Sequence, residues 1–75
     1  MLQENKIEFF VGILPEDDRK LDNFIKYLLS EDIEIAIENH FDDPDGYYTY
    51  IMRGSYRAYE QFLNFNIVKS LSHHE

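Results

Sequence analysis

The sequence predicts an α+β domain: a three-stranded sheet with two helices packed on one of its faces, in the order strand, helix, strand, strand, helix. Three observations carry this reading. Apolar residues recur at every second position in residues 6–14 and 33–38, the spacing of strands. They recur at every third or fourth position in residues 16–30 and 56–70, the spacing of amphipathic helices. A turn rich in Asp, Pro and Gly separates the second strand from a run of β-formers at 47–53. With 75 residues, the chain is read as one small domain spanning 1–75.

Each element has its own justification. In the first strand, Ile7, Phe9, Val11 and Ile13 take one face, while Glu8, Phe10, Gly12 and Leu14 take the other. Pro15 suits the first position of a helix, where its missing N–H costs nothing. Glu16, Asp17 and Asp18 then set negative charge against the positive end of the helix dipole. Leu21, Phe24, Ile25, Leu28 and Leu29 give that helix its apolar face. In the second strand Ile33, Ile35 and Ile37 alternate with Glu34, Ala36 and Glu38. In Asp42-Asp43-Pro44-Asp45-Gly46, proline presets φ, the aspartates bond back to the backbone and glycine takes a positive φ. The return strand of this hairpin ends at Gly54-Ser55, where Ser55 is placed to cap the next helix. Tyr59, Phe62, Leu63, Asn66, Ile67 and Leu71 carry that helix over 56–70, and residues 1–5 and 72–75 are expected to fray.

A right-handed crossover joins the first two strands. The simplest sheet sets the third strand between them, order 1-3-2, with both helices on one face. The expected core is Ile7, Phe9, Val11, Leu21, Phe24, Ile25, Leu28, Ile33, Ile35, Phe62 and Ile67. This layout resembles a ferredoxin-like unit that lacks its last strand, a resemblance of architecture over most of the chain. With that strand missing, the first strand is an edge blunted only by Lys6 and Glu8, a template for pairing with another chain. A homodimer through this strand, or a partner docked along it, is expected.

Composition narrows the function. An apolar share of 44% and an aromatic share of 16% exclude uniform disorder. Fifteen acids against seven bases, a net charge of −8, disfavour direct binding to a nucleic-acid backbone. There is no cysteine, hence no disulfide, thiolate metal site or thiol nucleophile. No apolar run reaches the roughly 18 residues of a membrane span. Met1-Leu2-Gln3-Glu4 lacks the basic and apolar regions of a signal peptide, so a cytoplasmic protein is expected. Three scattered glycines make no phosphate loop, and no base is fixed beside a nucleophile. The turn at 42–46 fails as a calcium loop, because counting Gly46 as the sixth position puts Phe41 first and Met52 twelfth. No enzyme activity, cofactor or metal is expected.

Two surfaces stand out. Residues 1–45 hold thirteen acids and four bases; residues 46–75 hold two acids and three bases. The inferred topology gathers Glu16, Asp17, Asp18, Asp42, Asp43 and Asp45 at one end of the sheet, a field suited to a basic protein surface. Each group also has a local reason, helix dipole or turn chemistry, and Arg19 and Lys20 partly offset the first. The second surface is the sheet face away from the helices. It is expected to carry Glu8, Phe10, Glu34, Ala36 and Glu38 with Tyr47, Thr49, Ile51 and Arg53. Arg53 is expected to pair with a glutamate across the sheet, and Phe10, Tyr47 and Ile51 to form an apolar patch. The stripe Tyr56, Tyr59, Phe62, Phe65 is read as core.

These features predict a non-enzymatic acidic binding protein: a small, phage-type inhibitor occupying a basic or nucleic-acid-binding site on a larger protein. The alternatives are a dimeric regulatory domain of ACT-like layout binding a small molecule, and a structural subunit of a complex.

Overall fold

The computed structural model describes residues 5–74. In chain order the elements are β1 (Lys6–Ile13), a 3-10 turn (Pro15–Asp17), α1 (Asp18–Ser30), β2 (Ile35–Asp42), β3 (Tyr48–Ser55), α2 (Tyr56–Leu63) and β4 (Ser70–His74). The sheet has four strands in the order β2-β3-β1-β4, and each neighbouring pair is antiparallel. The expected order of the first three strands is therefore kept, but the expected three-stranded sheet is not. β4 supplies the last strand of a β-α-β-β-α-β arrangement, the ferredoxin-like layout.

The difference begins where α2 stops. The expected helix reached residue 70; the observed one ends at Leu63, with the Asn64 N–H bonded back to the carbonyls of Gln61 and Phe62. Asn64, Asn66, Ile67 and Val68 are all poor helix formers, the asparagines through competing backbone bonds and the β-branched pair through lost rotamers. Two short turns follow, Phe65 N–H to Phe62 O and Val68 N–H to Phe65 O. The Lys69 N–H then donates to Gly12 O at 2.7 Å. From there β4 runs along β1, pairing Ser70 with Gly12, Leu71 with Val11, Ser72 with Phe10 and His73 with Phe9. A Cβ at Gly12 would meet the Ser70 hydroxyl, which would have to turn aside to admit it.

Two expectations are corrected by this strand. β1 lies between β3 and β4, so it offers no edge, and the edges of the sheet are β2 and β4. Residues 72–74, expected to fray, belong to β4; of the other residues expected to fray, 1–4 and 75 lie outside the described residues.

One buried cluster fills the space between sheet and helices. It takes Phe9, Val11 and Ile13 from β1, Tyr50 and Met52 from β3, and Leu21, Ile25 and Leu28 from α1, with Phe62 of α2 closing it. Ile33 is buried in the connection before β2, and Ile67 in the turns after α2. Phe24 and Ile7, expected in the core, pack against its margin instead. α1 ends with Asp32 at φ 59, and the Ile33 N–H reaches back to Leu28 O at 3.0 Å. This is a Schellman stop, in which Asp fills the left-handed position usually given to Gly. Ser55 caps α2, its hydroxyl accepting from the Ala58 N–H. Gly54 is needed for close approach: a Cβ there would stand 2.6 Å from the Glu34 carbonyl oxygen.

β2 carries a bulge. The register against β3 shifts between Ile37 and Asn39, leaving Glu38 as the extra residue. Asn39 then faces Ile51, His40 faces Tyr50 and Phe41 faces Thr49. Without the bulge Phe41 would continue the Ile35 and Ile37 face; with it, Phe41 turns to the open side and His40 stacks on Tyr50, centroids 5.2 Å apart.

Candidate functional site

β1 and β2 are both antiparallel to β3, hence parallel to each other, so the start of α1 and the β2–β3 turn lie at one end of the sheet. The row Ile13, Tyr48, Asp42 marks this end. One side-chain bond ties the first acidic group to the sheet: the Tyr50 hydroxyl, in β3, donates to the Asp18 carboxylate. The Tyr50 phenol is held well above the ordinary tyrosine range, chiefly by burial, then by this bond and the negative charges of Asp18 and Asp22.

The six carboxylates fall into two sets. Asp17 has a side chain only 14% exposed and pairs with Lys20 at 3.6 Å. Asp18 holds Tyr50. Asp43 accepts from the Thr49 hydroxyl, and its backbone closes the turn, N–H to Tyr47 O at 2.8 Å and O from the Gly46 N–H at 3.0 Å. Glu16, Asp42 and Asp45 are exposed and make no side-chain hydrogen bond or ion pair among the described residues. A cation also enters this end: Lys69, delivered by the approach to β4, joins Asp43, Asp45 and Tyr47 around a hollow of about 280 Å³. The expected helix over 56–70 gave no reason to place Lys69 there.

The sheet face away from the helices matches its expected charge pattern. Arg53 lies 3.7 Å from Glu8 and 3.3 Å from Glu38, and Lys6 lies 3.1 Å from Glu34. Phe10 and Ile51 are paired across β1 and β3 and are half-buried. Tyr47 is not in the sheet; it belongs to the turn, beside Asp43 and Asp45. Phe41, which sequence reasoning left out, lies exposed on this face beside Thr49 because of the bulge. Of the aromatic stripe, Phe62 is buried, Tyr59 and Phe65 pack against the core, and Tyr56 is exposed.

A groove between α1 and β2 was also missed. It encloses about 310 Å³ over Leu21, Ile25, Ile37 and Tyr50, with Asp18, Arg19 and Asp22 at its rim. The signal in the sequence was the spacing of Asp18 and Asp22, one helical turn apart and flanking Leu21 and Ile25. Among the described residues, no three His, Asp or Glu side chains come together as metal ligands, and no helix is long and apolar enough to cross a membrane. Comparison of the chain with protein-family models, with curated proteins and with solved structures yields no match.

Proposed function

We propose that this chain is a non-enzymatic acidic binding protein whose end bearing Glu16, Asp42 and Asp45 docks on a basic surface of a larger protein, as a small inhibitor covering a basic or nucleic-acid-binding site. The observation that supports this most is the set of three exposed carboxylates without side-chain partners among the described residues, gathered at one end by the parallel course of β1 and β2. Single exposed ion pairs contribute about 0–1 kcal/mol. The attraction therefore comes from the summed field of the cluster, which acts on the rate of encounter.

The test is the triple variant Glu16→Lys, Asp42→Lys, Asp45→Lys, measured against a partner recovered from the native host. Association should slow and its salt dependence should weaken, with the circular dichroism spectrum unchanged. Equal binding by wild type and variant, at low and high salt alike, sinks the reading.

The presence of β4 favours a second reading, a dimeric regulatory domain of ACT-like layout, since the fourth strand of that layout is there. Such a dimer would form through β2 or β4 rather than β1. A small molecule that raises the melting temperature, together with a dimer in sedimentation, would support it over the first.

A further inference from the structure

The geometry points to the groove between α1 and β2 as the seat of one arginine or lysine side chain from a basic protein partner, its aliphatic stem on Ile37 and its charge against Asp18 and Asp22. This rests on the reading of the acidic end given above and adds the place where a partner's side chain enters.

Ile37 is the first reason. It stands on the helix-facing side of the sheet, two residues after the buried Ile35, yet it is 45% exposed. β2 is an edge strand, and α1 leaves a gap of about 310 Å³ beside it, a size at the lower end of ligand sites. The floor is apolar, since Leu21 and Ile25 are buried and Tyr50 is 8% exposed.

The rim supplies the second reason. Asp18 and Asp22 stand one turn apart on the same face of α1. Asp18 meets the Tyr50 hydroxyl through Oδ1, which leaves Oδ2 for another donor. Asp22 pairs with Lys26 at 3.1 Å, but both side chains are more than 60% exposed and that pair is readily exchanged. Arg19 also reaches the rim. Asp18 and Asp22 nevertheless outnumber it around the groove, two carboxylates to one guanidinium, and burial, together with these carboxylates, holds the Tyr50 phenol above its ordinary range.

Those two features select the occupant. A wholly apolar group would strip water from two carboxylates without replacing it. An anion would be repelled. A long cationic side chain matches both parts, with an apolar stem and a charged head.

The test titrates the isotopically labelled full chain with blocked Ala-Arg-Ala and Ala-Lys-Ala peptides, using Ala-citrulline-Ala and Ala-norleucine-Ala as uncharged counterparts. Saturable shifts are expected at the amides of Asp22, Ile25 and Ile37 with the cationic peptides. The citrulline and norleucine peptides should bind about fivefold more weakly, as should the cationic peptides to the Asp22→Asn variant. Ile37→Ser should lose binding while keeping the native spectrum elsewhere. Uncharged peptides binding equally well would overturn the proposal, as would the absence of saturable shifts. Shifts confined to residues 42–46 would overturn the groove alone and leave the acidic end standing.

Discussion

Tyr50 joins the hydrophobic core to the acidic end through one bond, and its chemistry is testable by itself. Its ring is almost wholly buried and its hydroxyl donates to the exposed Asp18. Tyr50→Phe should cost about 0.5–1.5 kcal/mol in urea unfolding at neutral pH. The pH dependence has a definite sign. In the unfolded chain the phenol ionises near its ordinary value of about 10; in the folded chain burial and Asp18 hold the proton to higher pH. Above that ordinary value the unfolded state binds fewer protons, so stability falls as pH rises, and the contribution is complete below it. Tyr50→Phe should flatten this alkaline loss; an unchanged slope would assign it to other groups. Burial also ranks the aromatic residues. Phe9 has no exposed surface and meets Tyr59 and Phe62 at 5.5 and 5.6 Å. Phe9→Ala should cost about 3–5 kcal/mol, comparable with the whole stability of so small a domain, and calorimetry should show no cooperative melt. Helical spacing alone gives Phe24 the same weight. Its place at the margin, stacked on Phe65 at 4.0 Å, lowers the expected cost of Phe24→Ala to about 1–3 kcal/mol. Equal melting behaviour of the two variants would contradict this ranking.

At the level of elements, β4 decides how β1 behaves. With neighbours on both sides, the β1 amides should exchange among the slowest in the protein. Truncation after Lys69 removes β4, uncovers an apolar edge and should turn the chain to self-association, read by sedimentation. A monomeric truncated chain with fast β1 exchange would show that β4 is not what protects the edge. β1, α1 and the β2–β3 hairpin were legible because each buries a regular apolar stripe or carries turn chemistry that leaves few alternatives. β4 was not, because as an edge strand it sets Leu71 against the core and His73 beside Tyr59 at 5.3 Å, while Ser70 and Ser72 alternate with them. So few apolar residues are no strand signal, and Ile67 and Leu71 at a spacing of four also fit a helix. The bulge at Glu38 was equally hidden: nothing in Ile37-Glu38-Asn39 announces an extra residue, yet it decides that Phe41 faces the open side.

For the molecule as a whole, strand directions alone set the start of α1 and the β2–β3 turn, with their six carboxylates, at the same end of the sheet, and those directions were legible in the sequence. It did not separate those with internal tasks from those without, since the bonds of Asp18 to Tyr50 and Asp43 to Thr49 depend on facing and register. The distinction shapes the last prediction. A net charge of −8 on 75 residues opposes compaction by self-repulsion. The ion pairs among the described residues are exposed or partly so and offset little of this. Sodium chloride screens repulsion over about 10 Å at 0.1 M, so the free protein should melt at higher temperature as salt is added. Association with a basic partner should weaken over the same range. These opposite signs separate a field from a contact, because a desolvated local pair would respond little to salt. Reversing Glu16, Asp42 and Asp45 to lysine should raise the low-salt melting temperature and remove most of its rise with salt. Asp43 is kept in this design because it holds the turn. If the melting temperature of the wild type is independent of salt and unmoved by the reversal, the carboxylates do not crowd one another, and the end they share is too weak a source of field to steer a partner.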